Sequence, residues 1–389
     1  MRTVAVLGAT GSIGGQALEV AEAHRDRLRV TALSAGSRLD ALEALVRRVA
    51  PEWTALERAD DADAARRRLE DAARAAGVRQ PRVLVGVGAG ARLAAESGAD
   101  IVVNGIVGAV GLEASLATLA RGARLALANK ESLVVGGPLV RAALARGGSL
   151  VPVDSEHSAA WLCLGGRPAA EVARLTLTAS GGALRDHPDW RRATRDEVLA
   201  HPVWAMGQRI TVDSALLFNK GLELIEARWL FDLDWPRLEA VVHREARVHA
   251  IAAFTDGTLI AQAARADMRL PIQLALSWPE HWPGLTPALD PRDLAGLSFE
   301  PIPAGRHPAF DLALAAGRAG GTAPCALNAA DEVAVAAFLD GRATLGEVPQ
   351  TIARVMDAHR PEPIESLAQL RAVDAWAREA ARAAVARRA

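Results

Sequence analysis

The stretch TVAVLGATGSIGGQALEVAEAH, residues 3–24, joins an apolar strand pattern to a helical pattern through a glycine-rich turn. Glycines 8, 11 and 14 have the spacing G-x-x-G-x-x-G, a variant of the more familiar G-x-G-x-x-G of dinucleotide sites. Glycines at such a turn let the backbone approach a pyrophosphate, whose charge the start of the next helix stabilises. The stretch therefore predicts a dinucleotide-binding strand–loop–helix unit, with a plain tight turn as the alternative.

Strand-like apolar runs alternate with helical patterns over the first 150 residues. The runs are nearly continuous in Val, Leu, Ile and Ala, which is typical of a parallel sheet covered by helices on both faces. They are TVAVLG, RVTALSAG, RVLVGV, ADIVVNG, ARLALANK and GSLVPVD. We therefore predict an α/β fold whose residues 1–150 form a doubly wound, Rossmann-like domain.

The pattern becomes mixed after residue 150. VARLTLTASGGALRDHPDW predicts a strand entering a glycine-containing loop, and RITVDSALLFNKGLELIEARWLF predicts a strand turning into a helix. EAVVHREARVHAIAAFTDGTLIAQAA predicts an antiparallel hairpin about Thr-Asp-Gly. We expect an α+β middle domain over residues 151–280, a Pro-rich linker over 281–308 and a C-terminal helical bundle over 309–389.

Composition excludes several classes of function. The 389 residues include 45 basic and 46 acidic side chains, so no overall field gathers nucleic acid or anionic lipid. Two cysteines cannot form a disulfide framework or a cysteine-based zinc site. No apolar run is long enough for a membrane span, and a strand pattern that starts at Thr3 leaves no room for a signal peptide. We expect a cytoplasmic protein that contacts neither nucleic acid nor membrane; a solvated face is the favoured interpretation of the basic terminal helix.

The end of the second predicted strand indicates which dinucleotide is bound. An NAD site usually has an acidic residue there to hold the ribose hydroxyls. This chain has Ser37 and Arg38 instead. A hydroxyl and a guanidinium suit a 2′-phosphate, so NADPH is predicted, although Arg38 could also be an ordinary exposed residue at a helix start.

Asp154 and Glu156 lie one residue apart in VPVDSEHSAAW, where a strand pattern gives way to a helical one. In an extended chain the two carboxylates would share a face and repel each other unless a cation neutralised them. Oxygen donors without cysteine suit Mg²⁺ or Mn²⁺. The alternative is an ordinary helix N-cap.

A third ligand is predicted in NKGLE. Asn219 and Glu223 are four residues apart and Lys220 and Glu223 three, so the three side chains share one side of a helix. Together with Ser214 they could hold a metal at Glu223 and a phosphate at the other three. A surface ion pair is the alternative for Lys220 and Glu223 and the favoured interpretation for Glu226 with Arg228.

The segment near residues 181–209 has the composition of a lid. Two glycines after Ser180 would form a hinge, while Trp204 and Met206 are large apolar residues in a polar sequence. His201 could donate a hydrogen bond inside the closed lid. A plain surface excursion with a partly buried Trp is the alternative.

The chain resembles the 1-deoxy-D-xylulose 5-phosphate reductoisomerase family almost end to end. The likeness is carried by GATGSIG, ANKESLV, VPVDSEHSA, LTASGG, HPVWAMG, VDSALLFNKGLELIEARWLF, ADMRLPI and ALNAADEVAVAAFL. It implies isomerisation of 1-deoxy-D-xylulose 5-phosphate and its reduction to 2-C-methyl-D-erythritol 4-phosphate, dependent on NADPH and Mg²⁺ or Mn²⁺, in non-mevalonate isoprenoid biosynthesis. It also implies a homodimer whose middle domain supplies the active site and the interface.

The resemblance implies roles for residues at matching positions. Cofactor contacts are implied for Thr10, Gly11, Ser12, Ile13, Gly36, Ser37, Arg38, Asn129, Glu131 and Gly207. Metal ligation is implied for Asp154, Glu156 and Glu223, which with Lys130 form the implied catalytic set. Substrate contacts are implied for Lys130, Ser155, Glu156, Ser180, His201, Ser214, Asn219, Lys220 and Glu223.

The chain departs from the family pattern at three places. HREA at residues 243–246 replaces the usual HPQS, and ARADM at 264–268 has Ala266 where proline is usual. Asp331 stands where asparagine is usual. These departures affect the expected dimer contacts and the pocket wall near Met268, and none lies in the metal or phosphate set.

Two other functions fit parts of the sequence. Another NADP-dependent two-domain oxidoreductase, such as a semialdehyde or sugar dehydrogenase, would share the first domain and need no metal. A non-catalytic NADPH sensor would need no second cluster of polar residues.

Overall fold

The computed structural model of the protein describes residues 1–204 and 206–386. Its contacts divide the chain into two compact units. Unit 1 comprises residues 1–132, 140–158 and 267–287, and unit 2 comprises residues 133–139, 159–266 and 288 onward. Ala205 of the expected lid and residues 387–389 of the expected helical bundle lie outside the described residues.

Unit 1 contains a parallel sheet of seven described strands in the order β4-β3-β2-β1-β5-β6-β7. The strands are β1 Arg2–Leu7, β2 Leu28–Ala35, β3 Trp53–Leu56, β4 Arg82–Val85, β5 Ile101–Asn104, β6 Arg124–Leu127 and β7 Ser149–Pro152. This order confirms the predicted doubly wound α/β fold. Strand β3 was not predicted from the sequence, because its four residues show no alternation that would mark a strand.

The central strands are apolar because both faces of the sheet are covered. Val4, Ala5, Val6 and Leu7 of β1 are completely buried. Leu7 shares a core cluster with Leu93, which lies in a helix on one side of the sheet. A strand buried on both faces has no polar side, which explains the continuous apolar runs.

Unit 2 contains a mixed sheet in the order β11-β10-β8-β9-β12. Its strands are β8 Val172–Ala179, β9 Leu238–Val242, β10 Val248–Phe254, β11 Leu259–Ala263 and β12 Glu300–Pro301. β10 pairs antiparallel with β8 and β11, whereas β8 and β9 are parallel. The predicted hairpin is confirmed: Gly257 has a φ of 89°, and the Thr258 N–H donates to Asp256 Oδ1 at 2.9 Å.

Helices connect and cover the two sheets. The described α-helices are α1 Ser12–Ala23, α2 Leu39–Val49, α3 Ala62–Ala75, α4 Ala89–Glu96, α5 Gly111–Ala120, α6 Glu131–Ala145, α7 Ser155–Leu164, α8 Arg195–Leu199, α9 Gln208–Ala215, α10 Phe218–Phe231, α11 Arg269–Ser277, α12 Pro308–Ala319, α13 Ala323–Leu339, α14 Glu347–Ala358 and α15 Leu367–Ala386. The helical character predicted for the C-terminal part is confirmed by α12 to α15. None of the described helices combines the length and apolar composition needed to span a bilayer.

One element of unit 2 differs from the sequence prediction. RITVDSA was expected to be a strand because Ile, Thr and Val favour β structure. It lies within helix α9 instead. Val212 and Ala215 are three residues apart and pack in one core cluster with Ala326 and Ala330 of α13. Tertiary packing of this helical face therefore overrides the local β propensity.

Candidate active site

The glycine-rich turn of unit 1 is held by close backbone packing. Gly8 has a φ of 72°, and a Cβ there would lie 2.5 Å from the Gly105 carbonyl oxygen. A Cβ on Gly14 would lie 2.4 Å from the Gly8 carbonyl oxygen. The Gly11 N–H donates to that same oxygen at 2.8 Å, and α1 begins directly afterwards without a side-chain cap. The turn therefore presents the start of a helix, the geometry that stabilises a bound phosphate.

The end of β2 and the loop that follows it lie against this turn. The Ser34 carbonyl accepts from the Ala9 N–H at 2.7 Å, and the Ser34 hydroxyl accepts from the Gly8 N–H at 3.3 Å. The guanidinium of Arg38 donates to the Thr10 carbonyl. Arg38 is therefore packed against the glycine-rich turn, as a residue serving the same ligand would be.

Asn129 and Glu131 support a second loop of unit 1. The Asn129 amide donates to the carbonyls of Ile106 and Gly108 at 2.8 and 2.9 Å and to Glu131 Oε2 at 3.0 Å. Glu131 Oε1 accepts from the Gly108 N–H at 3.1 Å. These side chains fix residues 106–108 at the carboxyl end of β5, the edge of a parallel sheet where ligands bind.

Lys130 and Asp154 form an ion pair in unit 1. The Lys130 ammonium contacts Asp154 Oδ2, and each side chain is only 10% exposed. The imidazole of His157, which is fully buried, has its Nδ1 4.0 Å from the same oxygen. The carboxylate is thus held in a largely buried position where a cation compensates its charge.

The extended conformation expected for residues 154–156 is wrong. β7 ends at Pro152 and α7 begins at Ser155. The Asp154 carbonyl accepts the Ser158 N–H at 2.8 Å, so Asp154 occupies the position before the helix and Glu156 lies in its first turn. The Ser155 hydroxyl donates to Glu156 Oε2 at 2.5 Å. Helix formation, the alternative considered for this motif, decides the local geometry.

Unit 2 brings together the three side chains of the NKGLE motif. On α10 the Asn219 amide donates to Glu223 Oε1 and the Lys220 ammonium contacts Glu223 Oε2. Lys220 is 4% and Glu223 1% exposed. The helical spacing predicted for this cluster is confirmed, and the surface-pair alternative is wrong because the pair is buried.

Glu226 also differs from its sequence interpretation. It was expected to form a surface pair with Arg228, but its side chain is completely buried. The Arg228 guanidinium lies 5.0 Å from the Trp229 ring centroid. The three-residue spacing from Glu223, one helical turn, was the signal that could have placed Glu226 on the buried side.

Ser180 and His201 meet in the segment expected to form a lid. His201 Nδ1 accepts from the N–H groups of Val203 and Trp204 at 3.2 and 2.9 Å, so Nε2 carries the proton and donates to the Ser180 hydroxyl at 3.1 Å. Burial, helped by the charge of Arg185, lowers the pKa of His201 below its ordinary value. The imidazole is therefore neutral near pH 7.

The two glycines after Ser180 hold this segment against α9. Gly181 and Gly182 have φ values of 85° and 69°, in the left-handed region that favours glycine. A Cβ on Gly182 would lie 2.5 Å from the Ser214 carbonyl oxygen. Ser180 and Ser214, both predicted phosphate contacts, are thus joined through a tight backbone contact.

The departures from the family pattern have defined contacts in unit 2. Arg244 of HREA donates to Asp186 at 2.9 Å and to Glu300 at 2.9 Å. Asp331 accepts from Arg209 at 3.1 Å and is completely buried. The contacts of Arg209 were not predicted from the sequence, since a lone arginine gives no signal of its partners.

Family models match three segments of the chain. The model described as 1-deoxy-D-xylulose 5-phosphate reductoisomerase matches residues 4–137. Models described as the C-terminal domain of 1-deoxy-D-xylulose 5-phosphate reductoisomerase and as the DXP reductoisomerase C-terminal domain match residues 150–231 and 264–380.

Curated relatives are similar over almost the whole chain. A 1-deoxy-D-xylulose 5-phosphate reductoisomerase of Thermomicrobium roseum is 49% identical, with 99% of this chain and 98% of the relative covered. One of Beutenbergia cavernae is 48% identical with the same coverage, and one of Moorella thermoacetica is 46% identical, with 98% and 97% covered.

Solved structures give the same result. A DOX-P reductoisomerase in complex with NADPH, fosmidomycin and magnesium has a TM-score of 0.91 and 34% identity, covering 99% of this chain and 98% of that one. The Zymomonas mobilis 1-deoxy-D-xylulose 5-phosphate reductoisomerase in complex with NADPH has a TM-score of 0.89 and 36% identity, covering 99% of each chain. By sequence and by fold, this chain belongs to the 1-deoxy-D-xylulose 5-phosphate reductoisomerase family.

Proposed function

We propose that this protein converts 1-deoxy-D-xylulose 5-phosphate to 2-C-methyl-D-erythritol 4-phosphate in non-mevalonate isoprenoid biosynthesis. The reaction isomerises the carbon skeleton and then reduces it, with NADPH as reductant and Mg²⁺ or Mn²⁺ as metal. Family membership over nearly the full chain supports this reaction.

One structural observation supports it most strongly: each unit holds a buried carboxylate against a lysine. Lys130 pairs with Asp154 in unit 1, and Lys220 pairs with Glu223 in unit 2. The donor set is carboxylate oxygen, which suits a hard divalent cation. In the free protein the lysine ammonium compensates the charge of the carboxylate. When substrate binds, its anionic groups give the ammonium a partner in place of the carboxylate. We propose Asp154, Glu156 and Glu223 as the metal ligands.

The residues around the glycine-rich turn are proposed to bind NADPH. The start of α1 would hold the pyrophosphate, with Ser37 and Arg38 on the 2′-phosphate. When bound, the divalent cation supplies Lewis-acid polarisation of substrate oxygens, and NADPH supplies the reducing electrons. The proposed contacts are Thr10, Gly11, Ser12, Ile13, Gly36, Ser37, Arg38, Asn129, Glu131 and Gly207.

The substrate phosphate is proposed to bind at the start of α10. This helix begins after Leu217 without a side-chain cap, so its first N–H groups and its dipole favour an anion. Asn219 and Lys220 lie in its first turn, and Ser214 precedes it. Ser180 and His201 would donate from the lid, which excludes water when it closes. Lys130 and Ser155 would contact the reacting end of the substrate.

The remaining features are proposed from the family pattern. We propose a cytoplasmic homodimer with an NADPH-binding domain over residues 1–150 and a catalytic, metal-binding and dimerisation domain over 151–280. A linker over 281–308 would lead to the helical domain over 309–389. Size-exclusion chromatography with light scattering tests the dimer.

A direct assay tests the proposed function. The purified protein is incubated with NADPH, Mg²⁺ and 1-deoxy-D-xylulose 5-phosphate while the nicotinamide absorbance is followed. We expect the absorbance to fall and the product to be a branched polyol phosphate by NMR. Oxidation of NADPH by semialdehydes or unphosphorylated sugars alone would favour the dehydrogenase alternative, and NADPH binding without any turnover would favour the sensor.

A further inference from the structure

Arg209 lies at the centre of a charged cluster in unit 2 that has no part in the proposed chemistry. Its Nη2 donates to Asn328 Oδ1 at 3.0 Å and to Asp331 Oδ2 at 3.1 Å, and its Nη1 donates to Glu332 Oε1 at 3.1 Å. Its Nε is 3.6 Å from Asp213 Oδ2. One guanidinium on α9 therefore joins three polar side chains of α13, at positions 328, 331 and 332.

A second arginine completes the cluster from the C-terminal helix. Arg378 of α15 donates to Glu332 Oε2 at 2.6 Å and to both oxygens of Asp374 at 2.7 and 3.0 Å. Although burial alone would raise the pKa of Glu332, the charges of Arg209 and Arg378 bring it below its ordinary value. Glu332 thus links the two guanidinium groups as a carboxylate.

The cluster is too deeply buried to be a set of ordinary surface pairs. The side chains of Asp331, Asp213 and Arg209 are 0%, 6% and 19% exposed. Buried carboxylates are costly unless a charged partner compensates them, and bidentate arginine contacts fix geometry as well as charge. The contacts of Arg209 therefore define where α9 lies on α13.

Helix α9 carries a proposed phosphate contact near its other end. Ser214 follows Arg209 by five residues and is partly exposed. The chain then passes through Leu217, whose φ is 55°, directly into α10 with Asn219 and Lys220. A shift of α9 would therefore move Ser214 and the start of α10.

We infer that Arg209 is a positioning residue: by fixing α9 on Asp331 and Glu332 of α13, it holds Ser214 where the substrate phosphate binds. The inference rests on the proposed function for the identity of the substrate. It assigns to the helical C-terminal part of unit 2 a role in substrate affinity, transmitted through a single side chain.

Calorimetry of 1-deoxy-D-xylulose 5-phosphate binding without NADPH tests this role. We expect Arg209→Gln to weaken binding about tenfold and Arg209→Lys about threefold, since lysine keeps the charge but loses the planar fork. Arg378→Gln is the matched control, because it removes the other guanidinium of the cluster. It should lower the Tm by a similar amount and change binding less than about twofold.

A double-mutant cycle with Ser214→Ala separates positioning from general destabilisation. If Arg209 acts through Ser214, Arg209→Gln should cost much less affinity in the Ser214→Ala background, with a coupling of about tenfold in the dissociation constant. Equal costs in both backgrounds, or equal losses for Arg209→Gln and Arg378→Gln, would overturn the inference. If Arg209→Gln does not fold, the same cycle is run with Asp331→Asn present throughout, which removes the buried negative charge that Arg209 compensates.

These measurements distinguish a failure of the inference about Arg209 from a failure of the proposed function. Wild-type protein that binds the sugar phosphate without oxidising NADPH would contradict the proposed reaction while leaving the cycle measurable. Normal turnover of the wild-type protein, without coupling between Arg209→Gln and Ser214→Ala in substrate affinity, would contradict only the role of Arg209. Wild-type protein that does not bind the sugar phosphate would contradict both.

Discussion

Lys220 Nζ lies against Glu223 Oε2, one turn along α10, and both side chains are almost completely removed from solvent. A lysine and a carboxylate in this arrangement neutralise each other at a position where neither charge would be stable alone. The pair is the clearest sign that α10 serves a ligand, because each member has a different partner in the proposed complex: phosphate for the lysine and metal for the carboxylate.

Glu223→Gln tests the assignment of this carboxylate. We expect metal-dependent turnover to fall on the order of a hundredfold or more, because an amide oxygen is a much weaker ligand for a divalent cation. The dissociation constant for NADPH, measured by nicotinamide fluorescence, should change less than about twofold. Equal losses of turnover and NADPH binding would contradict the role of Glu223 as ligand.

Gly182→Ala tests the close contact between the lid hinge and α9. The new Cβ would lie 2.5 Å from the Ser214 carbonyl oxygen, so we expect a loss of about 2–4 kcal/mol in the free energy of unfolding and a weaker affinity for substrate. Gly257→Ala is the matched control, since its φ of 89° is also positive but no atom lies within 4 Å of the added Cβ.

Urea unfolding of the two glycine variants gives the comparison. Gly257→Ala should cost only the backbone strain, about 1–2 kcal/mol, and leave the KM for substrate unchanged. If Gly182→Ala is no more destabilising than Gly257→Ala, the contact with Ser214 does not constrain the hinge.

Ser37→Asp tests the predicted choice of NADPH over NADH. An acid at this position would repel the 2′-phosphate and hold a ribose hydroxyl, so the ratio of NADPH to NADH affinity should fall by about tenfold to a hundredfold. Direct binding measurements with both nucleotides give this ratio without turnover. An unchanged ratio would show that Ser37 does not face the 2′-phosphate.

His307 predicts a pH-dependent component of stability. Burial, assisted by the charge of Arg306, lowers its pKa to about 4. The folded state disfavours protonation of His307. Its contribution to the free energy of unfolding is therefore fully present above the unfolded pKa of about 6.5 and is lost as the pH falls towards 4. Within that window the free energy of unfolding should fall by up to about 1.4 kcal/mol per pH unit through this residue.

The free energy of unfolding is measured as a function of pH for wild type and His307→Gln, and the difference between the two curves isolates the contribution of His307. The variant should lose the extra slope between pH 6.5 and 4. His281→Gln, at an exposed position, controls for the effect of the substitution itself on the free energy of unfolding. Identical slopes for wild type and His307→Gln would contradict the assignment.

Local sequence patterns predicted an element correctly where a single physical cause, such as burial on both faces of a sheet, determines its structure. Residues 4–7 of β1 are all apolar because both faces of the sheet are buried there, and this can be read directly from the sequence. The helix Gln208–Ala215 could not be predicted in the same way, because its Ile, Thr and Val favour a strand, whereas packing in a core cluster that includes alanines of α13 favours the helix.

The candidate site likewise contains features that local sequence predicts and features that depend on tertiary contacts. The spacing of Asn219, Lys220 and Glu223 predicted a shared helical side, and the structure confirms it. The α13 partners of Arg209 lie more than a hundred residues away in the chain, so no local pattern could reveal them, whereas the spacing of Glu226 from Glu223 could have indicated its burial. At Asp154 the strand pattern was extended two residues too far, because the first helical hydrogen bond of α7 begins there.

Removal and return of the divalent cation tests whether the proposed reaction depends on a bound metal. Protein stripped of divalent ions with a chelator is assayed with NADPH and 1-deoxy-D-xylulose 5-phosphate before and after addition of Mg²⁺ or Mn²⁺, with circular dichroism as the check that it stays folded. We expect turnover to disappear when the protein is stripped of metal and to return with either cation. Full turnover of a folded, metal-free sample would contradict it.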